Sequence, residues 1–190
     1  MNALKRNIIL ASKSPRRSQL LEAAGFNFTV KVKEVEEIYP DSLPPREVAE
    51  YLAKLKADAS REFLITDEII LTADSIVLLN NTIFGKPKDA ADAFHIIRTL
   101  SGKMHEVITG VCLLSKTKEV SFSAISKVYF EALSDEEIHY YVDNFKPFDK
   151  AGAYAIQEWI GLCKISKIEG AYSNIMGLPV ERVYREMEQF

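Results

Sequence analysis

The 190-residue chain has only two cysteines, Cys112 and Cys163, and only three histidines. Two cysteines supply no disulfide framework, and no Cys/His grouping has the spacing of a zinc site. Each cysteine sits inside an apolar run, so both are expected as buried thiols in a reducing compartment. A basic excess is missing as well: 24 Lys and Arg face 27 Asp and Glu, for a formal net charge of −3. That balance opposes a nucleic-acid-binding module. No run approaches membrane-spanning length, and the N-terminus lacks the long apolar stretch of a secretory signal, so a cytoplasmic protein with no membrane partner is expected. The chain has no P-loop, nucleophile elbow or dinucleotide fingerprint. Internal repeats, low-complexity tracts and clear linkers are absent too. Residues 1–190 are therefore expected to form a single domain, of one or two lobes.

Hydrophobic residues make up 47% of the chain, enough for a substantial core. Strand-like and helix-like runs alternate, which predicts an α/β fold. Ile8 to Ala11 reads as a short buried strand. Ser14 as N-cap, Pro15 at the first helical position and Gly25 as stop predict a helix over 15–24. Phe28 to Lys33 reads as a strand. A helix from Pro44-Pro45 to about Arg61 carries the stripe Val48, Leu52, Leu55. Ile69 to Leu79, turned at Asn80-Asn81, pairs with Thr82 to Phe84. Asp89 caps a helix to Leu100. Val107 to Leu114 and Val120 to Phe130 form a strand pair. Ser134 and Glu137 form a capping box that opens a helix to about Asn144. Gly161 to Ile168 reads as a strand, and Pro179 opens a final helix.

Three features stand out against this pattern. Arg16 and Arg17 lie in the first turn of the first helix, where the helix dipole disfavours cations unless an anion is present. Arg17 shares the face of Leu20 and Leu21, an unusual place for arginine. With the Ser14 hydroxyl and the first-turn N–H groups, they suit a phosphate. The alternative is a pair of solvated arginines with Ser14 as a simple cap. Asp74 interrupts the long apolar run, and a buried carboxylate needs a partner, a metal or a proton. The alternative there is a hydrogen-bonding aspartate at a strand end. Glu36, Glu37, Lys56 and Lys86 are separated charges that matter only if they converge. His95 reads as a helix-face residue, and His105 and His139 as surface residues.

These residues fall in a recurring order. Ser14-Pro-Arg-Arg17 with Leu20-Leu21 resembles the opening signature of the Maf proteins, the septum formation family. The resemblance continues through Glu36-Glu37, Lys56, Ala73-Asp74-Ser75, Gly85-Lys86-Pro87, Leu100-Ser101-Gly102, and Asp149 to Tyr154 with Gln157. Each motif is weak alone, but the set covers the chain almost end to end and is highly specific. The resemblance implies a Maf/ITPase-like α/β fold, with a twisted mixed sheet flanked by helices and a cleft between two lobes. It also implies hydrolysis of nucleoside triphosphates between the α and β phosphates, aided by Mg²⁺ or Mn²⁺. By position, Ser14 and Arg17 match phosphate-binding residues. Asp74, Lys56, Lys86 and Glu37 match catalytic ones, with Asp74 as proton acceptor and Glu37 and Asp74 as metal ligands.

Arg16, Ser75 and Gln157 match positions linked to base choice. Arg16 and Gln157 resemble the subgroup acting on dTTP and UTP. That subgroup often has threonine where this chain has Ser75, and glycines where it has Ala155 and Glu158. The 7-methyl-GTP subgroup departs from the pattern at several of these positions. A non-catalytic nucleotide sensor or division regulator is the reading outside enzymes, and Asp74, Lys56 and Lys86 argue against a degenerate site. A homodimer is expected from the family and from soluble proteins generally.

Overall fold

The alternation of apolar runs becomes seven strands and seven α-helices in the computed structural model, which describes residues 1–190. The strands are β1 (Ile8–Leu10), β2 (Phe28–Val30), β3 (Ile69–Leu79), β4 (Thr82–Phe84), β5 (Met104–Leu114), β6 (Glu119–Phe130) and β7 (Ile165–Glu169). The helices are α1 (Pro15–Ala23), α2 (Val48–Ala59), α3 (Ala90–Leu100), α4 (Asp135–Phe145), α5 (Trp159–Lys164), α6 (Tyr172–Met176) and α7 (Val180–Glu188). The strands form one mixed sheet in the order β2-β1-β3-β5-β6-β7, with β4 paired to β3. β1 is parallel to β2 and β3; β4 is antiparallel to β3, and β7 to β6. No helix is long and apolar enough to cross a membrane.

Local chemistry sets the element ends. Asn80 and Asn81 both take left-handed φ, 50° and 63°, the geometry a two-residue hairpin requires. The Asp89 side chain accepts the Asp92 N–H at 2.8 Å, and Ser134 with Glu137 completes the expected capping box on α4.

The chain divides into two compact units, Met1–Asp74 with Thr109–Ala124 and Gly177–Phe190, and Ser75–Ile108 with Ile125–Met176. In the first unit β1, the first half of β3 and the second half of β5 bury both faces. Ile8, Leu10, Ile69 and Leu71 join Leu21, Val111, Val183 and Met187 on one side. Ile9, Ile70, Cys112 and Leu114 alternate onto the other, against Ala53 and Ala57 of α2. Strands covered on both faces read as continuous apolar runs, as these do. Helix α2 sits very close to β5, because a β-carbon at Gly110 would lie 2.2 Å from the backbone of Ala49 and Glu50. The Thr72 hydroxyl donates to the Ala53 carbonyl at 2.7 Å. The buried face of α2 is therefore Val48, Ala49, Leu52, Ala53 and Ala57, and the expected Leu55 is only partly buried. Small alanines admit a backbone approach that a leucine-centred stripe would prevent.

In the second unit α3 and α4 pack Ile96, Ile97, Leu100, Ile138, Tyr141 and Val142 against Val77, Val107 and Phe130. Three expectations are corrected. The run 161–164 is helical, in α5, rather than strand. The Gly161 and Leu162 N–H groups both donate to the Glu158 carbonyl, and a β-carbon at Gly161 would meet the Ile156 carbonyl oxygen at 1.8 Å. Short apolar runs permit either structure, and here the glycine lets the helical turn close. The same change exposes Cys163; only Cys112 is a buried thiol.

The third correction is His105, which is buried rather than at the surface. Strand β5 begins three residues before the expected Val107, so His105 falls on a buried position. Its Nε2 lies 2.7 Å from the Tyr154 hydroxyl, and its buried Nδ1 has no hydrogen-bond partner. Burial pushes its pKa down from 6.5 to about 3. The unfolded histidine takes up a proton below about pH 6.5 that the folded one refuses. Between that pH and about 3, stability from this group is lost as pH falls, at about 1.4 kcal/mol per unit. Urea unfolding at pH 7 and pH 5 should show this loss in the natural protein and a smaller one in His105→Gln. Equal losses in the two proteins would contradict the assignment.

Candidate active site

The turn from β1 into α1 positions the first group of side chains. Ser14 stands at the N-cap but its side chain makes no capping hydrogen bond, and the first turn of α1 contains no acid. The simple-cap reading of Ser14 therefore does not hold. The Ser14 N–H is instead taken by the Ser12 hydroxyl at 3.2 Å, so this amide is not available to a ligand. Ser12 also accepts a hydrogen bond from Arg17 Nη1 at 3.0 Å, and Arg17 Nε donates to the Gly177 carbonyl at 2.8 Å. Arg17 is thus a partly buried, anchored guanidinium and not a solvated one. Burial lowers its pKa from the ordinary value. Asp74 opposes that shift, Arg16 adds to it and Glu37 opposes it. Arg16, Arg17, Glu37 and Asp74 therefore share one electrostatic neighbourhood. Ser12 and Gly177 were not legible as partners: nothing in their local sequence marks them.

The second group centres on Lys56. Along β3, Thr72 and Asp74 lie on the same face, two residues apart. Thr72 bonds Ala53 of α2, and Asp74 bonds Lys56, three residues further along that helix. The close seating of α2 on Gly110 thus delivers Lys56 to Asp74. The Lys56 Nζ lies 2.5 Å from Asp74 Oδ1 and 2.7 Å from Glu37 Oε1. Side-chain exposure falls from 51% at Glu37 to 18% at Lys56 and 13% at Asp74. Asp74 is consequently the shielded member of the trio and Glu37 the solvent-facing one. Glu36, by contrast, is exposed and does not join it.

Ser75, Lys86 and Gln157 belong to the second unit. Ser75 follows Asp74 on β3 and is partly buried. Lys86 is exposed, just after β4, beside a buried Pro87. The preceding Gly85 carbonyl accepts the Gly152 N–H at 3.0 Å, which ties this segment to the 149–158 loop. Gln157 lies in that loop, and its Oε1 is buried with no hydrogen-bond partner. A buried amide oxygen without a donor is costly unless something supplies one.

The fold and these residues define a mixed α/β protein with a cation held between two carboxylates next to an anchored arginine. The chain belongs to the Maf-like protein family, whose model matches residues 7–190. A dTTP/UTP pyrophosphatase of Flavobacterium psychrophilum is 51% identical over 93% of this chain and 91% of its own length. One of Phocaeicola vulgatus is 50% identical over 99% of this chain and 98% of its own. One of Parabacteroides distasonis is 45% identical over 100% and 98%. Among solved structures, the Staphylococcus aureus Ham1 protein covers 66% of this chain and 72% of its own, with a TM-score of 0.49 at 14% identity.

Proposed function

We propose that this protein, acting as one functional domain over 1–190, hydrolyses dTTP and UTP between the α and β phosphates to give a nucleoside monophosphate and pyrophosphate. The observation that carries this reading is the Lys56 ammonium held between Asp74 and Glu37 in the neighbourhood of Arg17. Relatives of nearly equal length that bear the name dTTP/UTP pyrophosphatase support it.

A triphosphate is hydrolysed chiefly by positioning and charge neutralisation. Ser14 and Arg17 hold phosphate oxygens; Arg17 is preset for this because Ser12 and Gly177 fix its plane. Asp74 accepts a proton from the attacking water as the bond to the bridging oxygen breaks. Lys56 and Lys86 neutralise the charge that grows on the leaving pyrophosphate. Arg16, Ser75 and Gln157 select the base, and the undonated Oε1 of Gln157 is the group to pair with a pyrimidine N–H.

Asp74 and Glu37 both lie against the Lys56 ammonium, and their carboxylates are the hard oxygen donors that a divalent cation takes. No group of three or more His, Cys, Asp or Glu residues is placed to hold a metal ion by itself, and Asp74 and Glu37 are the residues that would hold Mg²⁺ or Mn²⁺. When bound, the ion supplies positive charge to the triphosphate. We further propose a cytoplasmic homodimer, supported by the resemblance and by two unpaired cysteines.

Chromatography of the products from dTTP tests the reaction. dTMP with pyrophosphate is expected; dTDP with inorganic phosphate would place the cut at the wrong bond.

A further inference from the structure

We propose that Glu158 is a positioning residue that locks the Gln157 loop into its base-selecting geometry by bridging Tyr141 of α4 to Lys150. This rests on the base-selecting reading of Gln157.

The loop over 149–158 is held from several sides. The Tyr141 hydroxyl donates to Glu158 Oε2 and accepts the Ala155 N–H at 3.1 Å. One phenol therefore joins two points of the loop, on either side of Gln157. Glu158 Oε1 lies 3.4 Å from the Lys150 Nζ, which also bonds Asp149 at 2.8 Å. The charged ends of this bridge are shielded: Lys150 is 10% exposed and Glu158 21%. Burial and the adjacent Glu158 carboxylate both push the Tyr141 pKa upward, so the phenol keeps the proton it donates.

The backbone between these points is under constraint. Ala153 takes a left-handed φ of 58°, a conformation that L-residues with a β-carbon rarely hold unaided. Beside it Gly152 also takes a positive φ, 70°, and a β-carbon there would lie 2.6 Å from Val77. Its N–H reaches the Gly85 carbonyl, and Tyr154 is pinned to His105. Every anchor belongs to a neighbour of Gln157. The Gln157 Oε1 itself is buried without a hydrogen-bond partner. An amide discriminates between bases only if it cannot move to satisfy the wrong one, so the rigidity of its neighbours converts a hydrogen bond into selectivity.

The test compares kcat/KM for dTTP and for GTP in Glu158→Ala, Tyr141→Phe, Glu158→Gln and Gln157→Ala, with thermal unfolding as a check on folding. Glu158→Ala and Tyr141→Phe should each lower the dTTP-to-GTP ratio about tenfold, chiefly through KM. Glu158→Gln keeps an acceptor for the phenol and should retain most of the ratio. Adding Glu158→Ala to Gln157→Ala should cause no further loss of selectivity, whereas a purely structural residue would lower activity toward both substrates alike. If Glu158→Ala does not fold, Tyr141→Phe carries the same test, since it keeps the ring that stacks on Phe145. Full selectivity in Tyr141→Phe beside a flattened profile in Gln157→Ala would overturn the clamp alone. An unchanged profile in Gln157→Ala would overturn the base-selecting reading and the clamp with it.

Discussion

Asp74→Asn is expected to lower turnover of dTTP by a factor of about 10²–10⁴, the range for losing a general base, while leaving nucleotide affinity within a few-fold. The substitution is nearly isosteric, and Lys56 keeps its second carboxylate partner, Glu37, at 2.7 Å. The Thr72 bond to Ala53 and the backbone approach at Gly110 hold β3, β5 and α2 together independently of Asp74. The loss should therefore fall on the chemical step, through the proton Asp74 accepts and the cation it would help hold, and not on the fold. Single-turnover kinetics with fluorescent-nucleotide titration separates the two quantities. An Asp74→Asn protein with near-normal turnover would assign the proton to another group. A protein that no longer binds nucleotide would make Asp74 a binding residue instead.

Arg17→Ala should act on binding as well as on the chemical step. Hydrogen bonds to a charged partner are worth about 1.5–3 kcal/mol, so losing them should raise KM about 10- to 100-fold. Arg17 also makes two internal bonds, to Ser12 and to Gly177, and their removal should lower thermal stability too. Arg17→Lys distinguishes these contributions. Lysine restores the charge but not the planar fork that Ser12 and Gly177 orient, so it should recover only part of the affinity. Full recovery by lysine would show that a point charge suffices and that the anchored geometry is irrelevant. An unchanged KM in Arg17→Ala would remove the phosphate role altogether.

The parts of this molecule that are legible in its residues alone are those in which a residue contradicts its own neighbourhood. Asp74 in an apolar run, and Arg17 on the face of a buried leucine, announce partners because burial without them is costly. The partners are less visible. Ser12 is an ordinary serine five residues from Arg17, and Gly177 lies 160 residues away, so their convergence is a property of the fold. Local signals placed the Asn80-Asn81 turn and the caps at Asp89 and Ser134, because each rests on contacts within four residues. They failed at His105, where β5 extends past its apolar run, and at α5, where an apolar stretch suits helix and strand equally. Leu55 failed for a different reason: hydrophobic spacing favours large side chains, whereas α2 docks through alanines onto a glycine. From its own neighbourhood Lys56 is one of several separated charges, and only the resemblance matches it to a catalytic position. Its meaning came from the seating of α2, which sets it between two carboxylates.

The most direct test of the account is pyrophosphate release by the purified protein, with Mg²⁺ or Mn²⁺, as kcat/KM for dTTP, UTP, CTP, ATP, GTP and 7-methyl-GTP. The account predicts metal-dependent release that is fastest with dTTP and UTP. Absence of pyrophosphate from every substrate, or clear preference for 7-methyl-GTP, would contradict it.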